Sequence, residues 1–456
     1  MNNTIAAIST AYGRGGIAVI RISGSEAIEV AARVFIPADK RALNDIPAGQ
    51  CIYGHIYKGG RQIDDGMCTT FRAPRSYTGE DVVEISCHGG ILLTELVLAA
   101  VFEAGAVQAG AGEFTRRAFI NGKLSLSQAE AVGMLIDAKS EEQLALASSH
   151  ERGVFRAHAD ALYERLKTVV TNVYAGIDFP DEDLSLLSAD QVIAELEAVK
   201  QGLQMLVDSY RTVRAVCEGI RTVIAGKPNT GKSSLLNRLV GRDRAIVTDI
   251  AGTTRDTIEE TVTVGRIQLR LCDTAGLHET DDAVERIGVE RSLQALEEAE
   301  LVLAVFDFST ECDSEDEALL ERLASLNVPC IAVCNKSDLP ERFGDLPGER
   351  FSAVTHMSAS TGEGVDDLRA AIEGLFIDGD IDYDRQTTVL NARQYASAAR
   401  SLEYVQSALN ALQGGLTPDT AGLDMESALS ELGELDGRKV TEEIVDGIFH
   451  HFCVGK

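Results

Sequence analysis

The stretch Gly226-Lys227-Pro228-Asn229-Thr230-Gly231-Lys232-Ser233 constrains this chain more than any other part of it. It matches GxxxxGK[ST], a phosphate-cradling loop that works only between a β-strand and the start of an α-helix. The flanks predict that context, with a strand at Thr222–Ala225 and a helix at Ser234–Val240. Glycines let backbone N–H groups close on phosphate oxygens, and the helix N-terminus adds its positive end. Lys232 is expected at the β- and γ-phosphates and Ser233 as a Mg²⁺ ligand, with Asn229, Thr230, Gly231 and Ser234 completing the cradle. A strand–loop–helix of this kind belongs to a mainly parallel α/β sheet.

Four further motifs follow in order. Asp273-Thr274-Ala275-Gly276 closes the next long strand, where the aspartate can hold Mg²⁺ through water and the glycine N–H can meet the γ-phosphate. Asn335-Lys336-Ser337-Asp338 ends a later strand. A carboxylate there accepts both N1–H and N2–H₂ of guanine, a donor pair adenine lacks, so Asp338 selects GTP. Ser358-Ala359-Ser360 is placed to offer a backbone N–H to guanine O6. Between the first two motifs, Thr248-Asp249-Ile250-Ala251-Gly252-Thr253-Thr254 reads as a switch loop, with Thr254 as a second Mg²⁺ ligand. Small GTPases place Gln after the DxxG glycine to orient the attacking water. Here the residue is Leu277, so another group must do this, and the acids Glu279, Asp281, Asp282 and Glu285 lie just downstream. No arginine finger is assigned in cis, Arg255 and Arg286 reading as structural. A monovalent cation beside the γ-phosphate fits if the Thr248–Gly252 loop presents carbonyls there.

The 456 residues suggest about three domains. Residues 1–120 mix strand runs (Ile17–Ile22, Val82–Ser86) with a helix at Leu92–Gly105 and read as α+β. Residues 121–218 are helical, in stretches Ser127–Ser149, Leu162–Ile177 and Ala189–Tyr210. Residues 219–378 alternate strands and helices, and residues 379–456 return to helix. The order predicts a multidomain chain: an N-terminal α+β domain, a discontinuous helical domain, and an α/β P-loop GTPase domain inserted into it.

Net charge is −29, which argues against a non-specific nucleic-acid binder. The first 120 residues are near neutral, with 11 Lys+Arg against 12 Asp+Glu, so a polyanion would be held there or by a partner protein. Nine scattered cysteines without metal spacing read as a reduced, cytoplasmic chain. MNNTIAAIST has neither a basic start nor a long apolar core, and Glu95 and Glu103 interrupt the apolar run Gly90–Gly110, so neither signal peptide nor membrane span is expected.

With these motifs placed, the chain resembles the bacterial and organellar tRNA modification GTPases, the MnmE or TrmE family. The resemblance rests on GRGGIAVIRISG (13–24), SYTGEDVVEISCHGG (76–90), GEFTRRAFINGKLSLSQAEAV (112–132), IDFPDED (177–183), the GTPase motifs and the terminal FCVGK (452–456). It implies an N-terminal domain that binds a tetrahydrofolate one-carbon derivative (5-formyl- or methylene-tetrahydrofolate) and mediates a homodimer. It implies installation of an aminomethyl or carboxymethylaminomethyl group at C5 of the wobble uridine of certain tRNAs. The work is shared with an FAD- and NADH-using partner subunit (MnmG/GidA) in an α2β2 heterotetramer. Potassium would replace the arginine finger, held by Asn229, Thr248, Ile250 and Thr253, and Glu285 would orient the water. The folate pocket maps onto Arg21, Glu80, Lys123 and Lys456. A pterin hydrogen-bonds carboxylates and a glutamate tail pairs with Lys or Arg, so these residue types suit it. Read without the resemblance, Arg21 is first a strand-end surface residue and Glu80 a turn or cap residue. Cys453 reads as a thiol in a tail near that pocket or as a small apolar residue closing the last helix, and His88 as a turn residue or a catalyst. Lys227, His278 and Val454 depart from the family pattern, none at a ligand position. The competing reading is a ribosome-assembly GTPase, which would be expected to carry a basic RNA-binding domain. A folate-dependent transferase with regulatory GTP is a second, and a membrane-remodelling GTPase, lacking its amphipathic helix here, a third.

Overall fold

The computed structural model describes residues 3–179, 186–242, 260–271, 296, 298–377, 387–450 and 452–456. The chain packs as two compact units. One comprises Met1–Gly133, His150–Asp160 and Leu432–Lys456, the other Met134–Ser149 and Ala161–Glu431.

The first unit is built on a sheet of order β3-β4-β5-β6-β2-β1-β7. Its strands are β1 (Ile5–Ile8), β2 (Ile17–Ser23), β3 (Phe35–Pro37), β4 (Cys51–Lys58), β5 (Arg61–Phe71), β6 (Val82–His88) and β7 (Val107–Gln108). All pairings are antiparallel except β1 with β7. Alternation of apolar side chains along β2 and β6 turns Ile20, Ile22, Val83 and Ile85 into a buried layer with α1 (Ala27–Val34) and α2 (Ile91–Glu103). The opposite face carries Arg21 and Glu84 in register. It is covered at one end by a smaller cluster of Ile5, Ala7, Ala109, Phe114 and Tyr77 around α3 (Glu113–Ile120).

The strand and helix expectations at Ile17–Ile22, Val82–Ser86 and Leu92–Gly105 meet β2, β6 and α2. Strands β4 and β5 were not foreseen. They form a hairpin across Gly59-Gly60, at φ +56° and +79°.

Helices dominate the stretch that follows. The expected helix at Ser127–Ser149 is two, α4 (Leu126–Asp137) and α5 (Glu141–Glu151). Ser140 makes the break: its hydroxyl accepts the Gln143 N–H at 3.2 Å, a cap that starts a new helix. α6 (Val154–Asp178) and α7 (Ala189–Cys217) are longer than their apolar periodicity suggested. α7 opens on a capping box between Ser188 and Gln191.

The second unit holds a sheet of order β13-β12-β11-β8-β10-β9 among the described residues. The strands are β8 (Ile220–Ala225), β9 (Glu260–Val264), β10 (Ile267–Leu271), β11 (Leu301–Asp307), β12 (Cys330–Asn335) and β13 (Ala353–His356). Only β9 runs antiparallel to its neighbour. β11 is buried along its whole length, as a central parallel strand must be. Helices α8 (Lys232–Arg242), α9 (Ser314–Ala324) and α10 (Val365–Phe376) accompany it. Further along lie α11 (Ala392–Gln413), which packs along α7, α12 (Gly422–Leu435) and, in the first unit, α13 (Glu442–His450).

Only Glu218 and Gly219 separate α7 from β8. Gly219 sits at φ +79°, a conformation that strains any side chain, and a Cβ there would press on Arg270 and Gln268 atoms at 3.1–3.3 Å. Arg211 donates to Leu375 O (2.8 Å) and Thr212 to Phe376 O (3.3 Å), tying the end of α7 to the end of α10.

Candidate functional site

The phosphate loop leaves β8 at Gly226 and enters α8 at Lys232, the strand–loop–helix that the motif predicts. Its backbone is set by two residues. Asn229 holds φ +64°, a left-handed conformation that asparagine tolerates. Gly231 holds φ +98°, and a Cβ there would lie 2.2 Å from Asn335 Nδ2. Lys232 folds back and donates to Gly226 O and Lys227 O, both at 2.8 Å. Its ammonium therefore stands within the loop's curve, and burial lowers its pKa from the ordinary lysine value. Thr230 is buried and donates to Lys227 O at 3.0 Å. Ser233 and Ser234 stay exposed in the first turn of α8.

The guanine-side motifs converge on this loop. Asn335, buried at the end of β12, donates to Thr230 O (2.7 Å) and accepts the Ala359 N–H (2.9 Å). One amide thus joins the phosphate loop, the Asn335–Asp338 turn and the Ser358–Ser360 turn. Arg238 of α8 donates to Ala359 O (3.1 Å) and to Ser360 O, and the Ser358 and Ser360 hydroxyls lie 2.9 Å apart. Lys336, at φ +66°, pairs with Asp307 at the end of β11. Burial works against the Asp307 carboxylate, but hydrogen bonds from Lys336 and Ser309 hold its pKa below the usual range. Asp338 is exposed on the rim.

Sequence reading did not anticipate the pairing of Lys227. Its ammonium meets Asp313 at 2.7 Å and Asp316 at 2.6 Å, two members of the capping box that starts α9. Burial would lower its pKa, but the two carboxylates outweigh that and raise it. The expected contributions of Thr248, Asp249, Ile250, Ala251, Gly252, Thr253, Thr254, Asp273, Thr274, Ala275, Gly276 and Glu285 lie outside the described residues.

A second group of predicted residues lies in the first unit around α3. Arg21 pairs with Glu84 at 2.8 Å, and its guanidinium carbon lies 5.4 Å from the Tyr77 ring centre and 5.7 Å from that of Phe114. Ser23, two residues on and on the same strand face, donates to Glu80 at 2.8 Å. Glu80 also accepts from Arg117 at 3.0 and 3.3 Å. Lys123 is exposed and donates to Pro74 O at 3.0 Å, with its side chain beside Gly79. The chain's tail closes the group. Lys456 O accepts the Phe114 N–H (3.1 Å), Cys453 O accepts the Gly112 N–H (3.3 Å), and Gly455 O accepts from Ser9 (3.0 Å) and Arg21 (3.5 Å). The Cys453 thiol is exposed.

Arg21, Glu80, Lys123 and Lys456 are thus all anchored around the Thr78–Asp81 turn, α3 and the tail. Arg117 and Glu84 are the members of this network that sequence reading missed. The Glu113–Arg117 spacing of four on a helix was the available signal. His88 pairs through Nδ1 with the largely buried Asp64 at 2.8 Å, a partner no local sequence pattern announces.

Comparison with known proteins gives the following. Residues 126–453 match a family model described as the MnmE helical domain, and residues 4–123 match one described as the GTP-binding protein TrmE N-terminus. A tRNA modification GTPase MnmE of Symbiobacterium thermophilum is 43% identical over 458 residues, 99% of each chain. That of Listeria innocua is 42% identical over 460 residues, covering 100% of this chain and 99% of its own. Among solved structures, a point variant of Aquifex aeolicus Era bound to GDP·AlF4⁻ matches at TM-score 0.27 with 28% identity, over 41% of this chain and 66% of that one.

Proposed function

Because this chain belongs to the MnmE family of tRNA modification GTPases, we propose that its GTP hydrolysis drives modification of a tRNA wobble uridine. The observation that carries the GTP half is the Asn335 amide, which locks the phosphate loop and both guanine-side turns into one preassembled cradle. GTP enters with its phosphates on the Gly226–Ser234 backbone and against Lys232, whose ammonium already points into the loop. Its base lies between the Asp338 carboxylate and the Ser358–Ser360 turn.

The donor set suits a hard cation at the phosphates. Ser233 offers an exposed hydroxyl oxygen beside the site, and Mg²⁺ prefers oxygen ligands shared with phosphate. Bound there, Mg²⁺ would supply charge neutralisation between the β- and γ-oxygens. Thr254 is its proposed second ligand, and Asp273 its proposed partner through water. Asn229 is proposed as a potassium ligand together with Thr248, Ile250 and Thr253. The exposed side chain and left-handed backbone at Asn229 support that role. Glu285 takes the water-orienting role that Leu277 leaves vacant.

In the first unit, Arg21, Glu80, Lys123 and Lys456 form the proposed site for a tetrahydrofolate one-carbon donor. Glu80, held by Ser23 and Arg117, and Lys123, held by Pro74 O, flank one turn, and that pairing of residue types suits a pterin with its donors and a glutamate tail with its charges. The remaining proposals are a homodimer, an FAD- and NADH-dependent partner subunit in an α2β2 assembly, and a cytoplasmic location. No helix among the described residues is long and apolar enough to cross a membrane.

The test is nucleoside mass spectrometry on tRNA from a host lacking the chain. C5-aminomethyl-type wobble uridines should vanish, return with the wild-type chain, and stay absent with Glu285→Ala, which should bind GTP but lose most hydrolysis. Unchanged nucleosides in the deletion host would retire the tRNA reading and turn attention to ribosome assembly.

A further inference from the structure

Arg117 is only 3% exposed, a costly place for a guanidinium unless its donors are met. They are met from three separate segments. One arm donates to both Glu80 oxygens at 3.3 and 3.0 Å, the other to Asn3 O at 3.0 Å and to Glu113 Oε1 at 2.8 Å, and Nε reaches Glu113 Oε1 at 3.3 Å. The two carboxylates are about equally exposed, 22% for Glu80 and 23% for Glu113, and differ in how their bonds are shared out. Glu113 takes Arg117 on one oxygen and the Gly110 N–H on the other, at 2.7 Å. Glu80 Oε2 takes Ser23 and Arg117, whereas Oε1 takes only the longer Arg117 contact. The turn behind it is pinned as well, since Ser76 donates to Glu80 O and the Glu80 N–H reaches Thr78 at 3.2 Å. Glu80 is therefore a partly exposed carboxylate with a fixed backbone, a fixed rear face and accepting capacity at its front.

We propose that Arg117 is the positioning residue for Glu80, aiming its carboxylate so that it accepts a paired N–H donor edge such as that of a pterin ring. The proposal rests on the folate reading above. Arg117 does not touch the ligand. It acts through Glu80 with a planar fork that makes five contacts to two carboxylates and a carbonyl from one buried point, more than the three donors of a lysine can supply.

The test is a double-mutant cycle on the full chain, with 5-formyl-tetrahydrofolate binding read by calorimetry. Glu80→Gln and Arg117→Met should each weaken binding about tenfold or more. In the Glu80→Gln background, Arg117→Met should cost less than about twofold, because the group it acts through is gone. Equal losses in both backgrounds would overturn the proposal and leave Arg117 a structural residue. Should Arg117→Met fail to fold, Arg117→Lys keeps the charge, loses the fork, and runs through the same cycle. If the wild-type chain itself does not bind the probe, the folate reading fails first, a result distinct from additivity.

Discussion

Two residues show how far a side chain's identity carries and where its partner takes over. Asp338 is read from sequence by chemistry alone: two acceptor lone pairs against two guanine donors. Asp338→Asn replaces an acceptor with a donor, so nucleotide preference should pass from GTP to XTP, whose 2-oxo group accepts where guanine donates. Competition between the two triphosphates for the full chain measures it, and unchanged GTP preference would remove Asp338 from the site. His88 is the opposite case. Its hydrogen bond to Asp64 raises its pKa above 6.5, while hydrogen bonds from His88 outweigh burial and lower that of Asp64. A raised histidine pKa means the contact's contribution is full below pH 6.5 and is lost as pH climbs through the raised value. An NMR titration should place His88 above the free imidazole, and Asp64→Asn should bring it back down.

At the scale of elements, the break between α12 and α13 sets a buried acid against α4. Asp436 accepts the Ser127 hydroxyl at 2.6 Å, Ser125 joins Ser127 at 2.8 Å, and Arg156 lies 3.8 Å away. Burial raises the Asp436 pKa, so stability from this group falls as pH rises from its unfolded value through its folded one. Asp436→Ala should cost about 0.5–1.5 kcal/mol by removing the Ser127–Asp436 hydrogen bond, Ser125 remaining as the hydroxyl's partner. Asp436→Asn should be far milder, keeping an acceptor without a charge, and thermal melts at neutral pH compare the two. Elements also show what sequence conveys. Every described GTPase motif was legible because each is contiguous and ends a strand. β5 was not, since the first half of Arg61–Phe71 is half-exposed on both faces and shows no apolar side. The Arg117 network escaped for another reason: Asn3, Glu80, Glu113 and Arg117 meet only after the sheet and α3 have formed.

The whole molecule divides its apolar core between two units with separate sheets. Ligand binding stabilises only the cooperative unit that holds the site, by RT ln(1 + [L]/Kd). Calorimetry should therefore resolve two transitions, with GDP and Mg²⁺ at about 100 times Kd raising one by the equivalent of about 2.7 kcal/mol and leaving the other in place. A single transition that moves as a whole would show the two units to be one cooperative body. Lys232→Ala should abolish the shift.

The two-residue junction between α7 and β8 has a mechanical meaning. The strand that delivers the phosphate loop follows a helix of 29 residues after only Glu218 and Gly219, and the end of that helix is tied to Leu375 and Phe376. At 1.5 Å per residue such a helix is a rod of about 43 Å. A tilt of about 6° at one end would sweep the other through roughly 4 Å, so a small angular change at the junction is a large displacement at the far end of the rod.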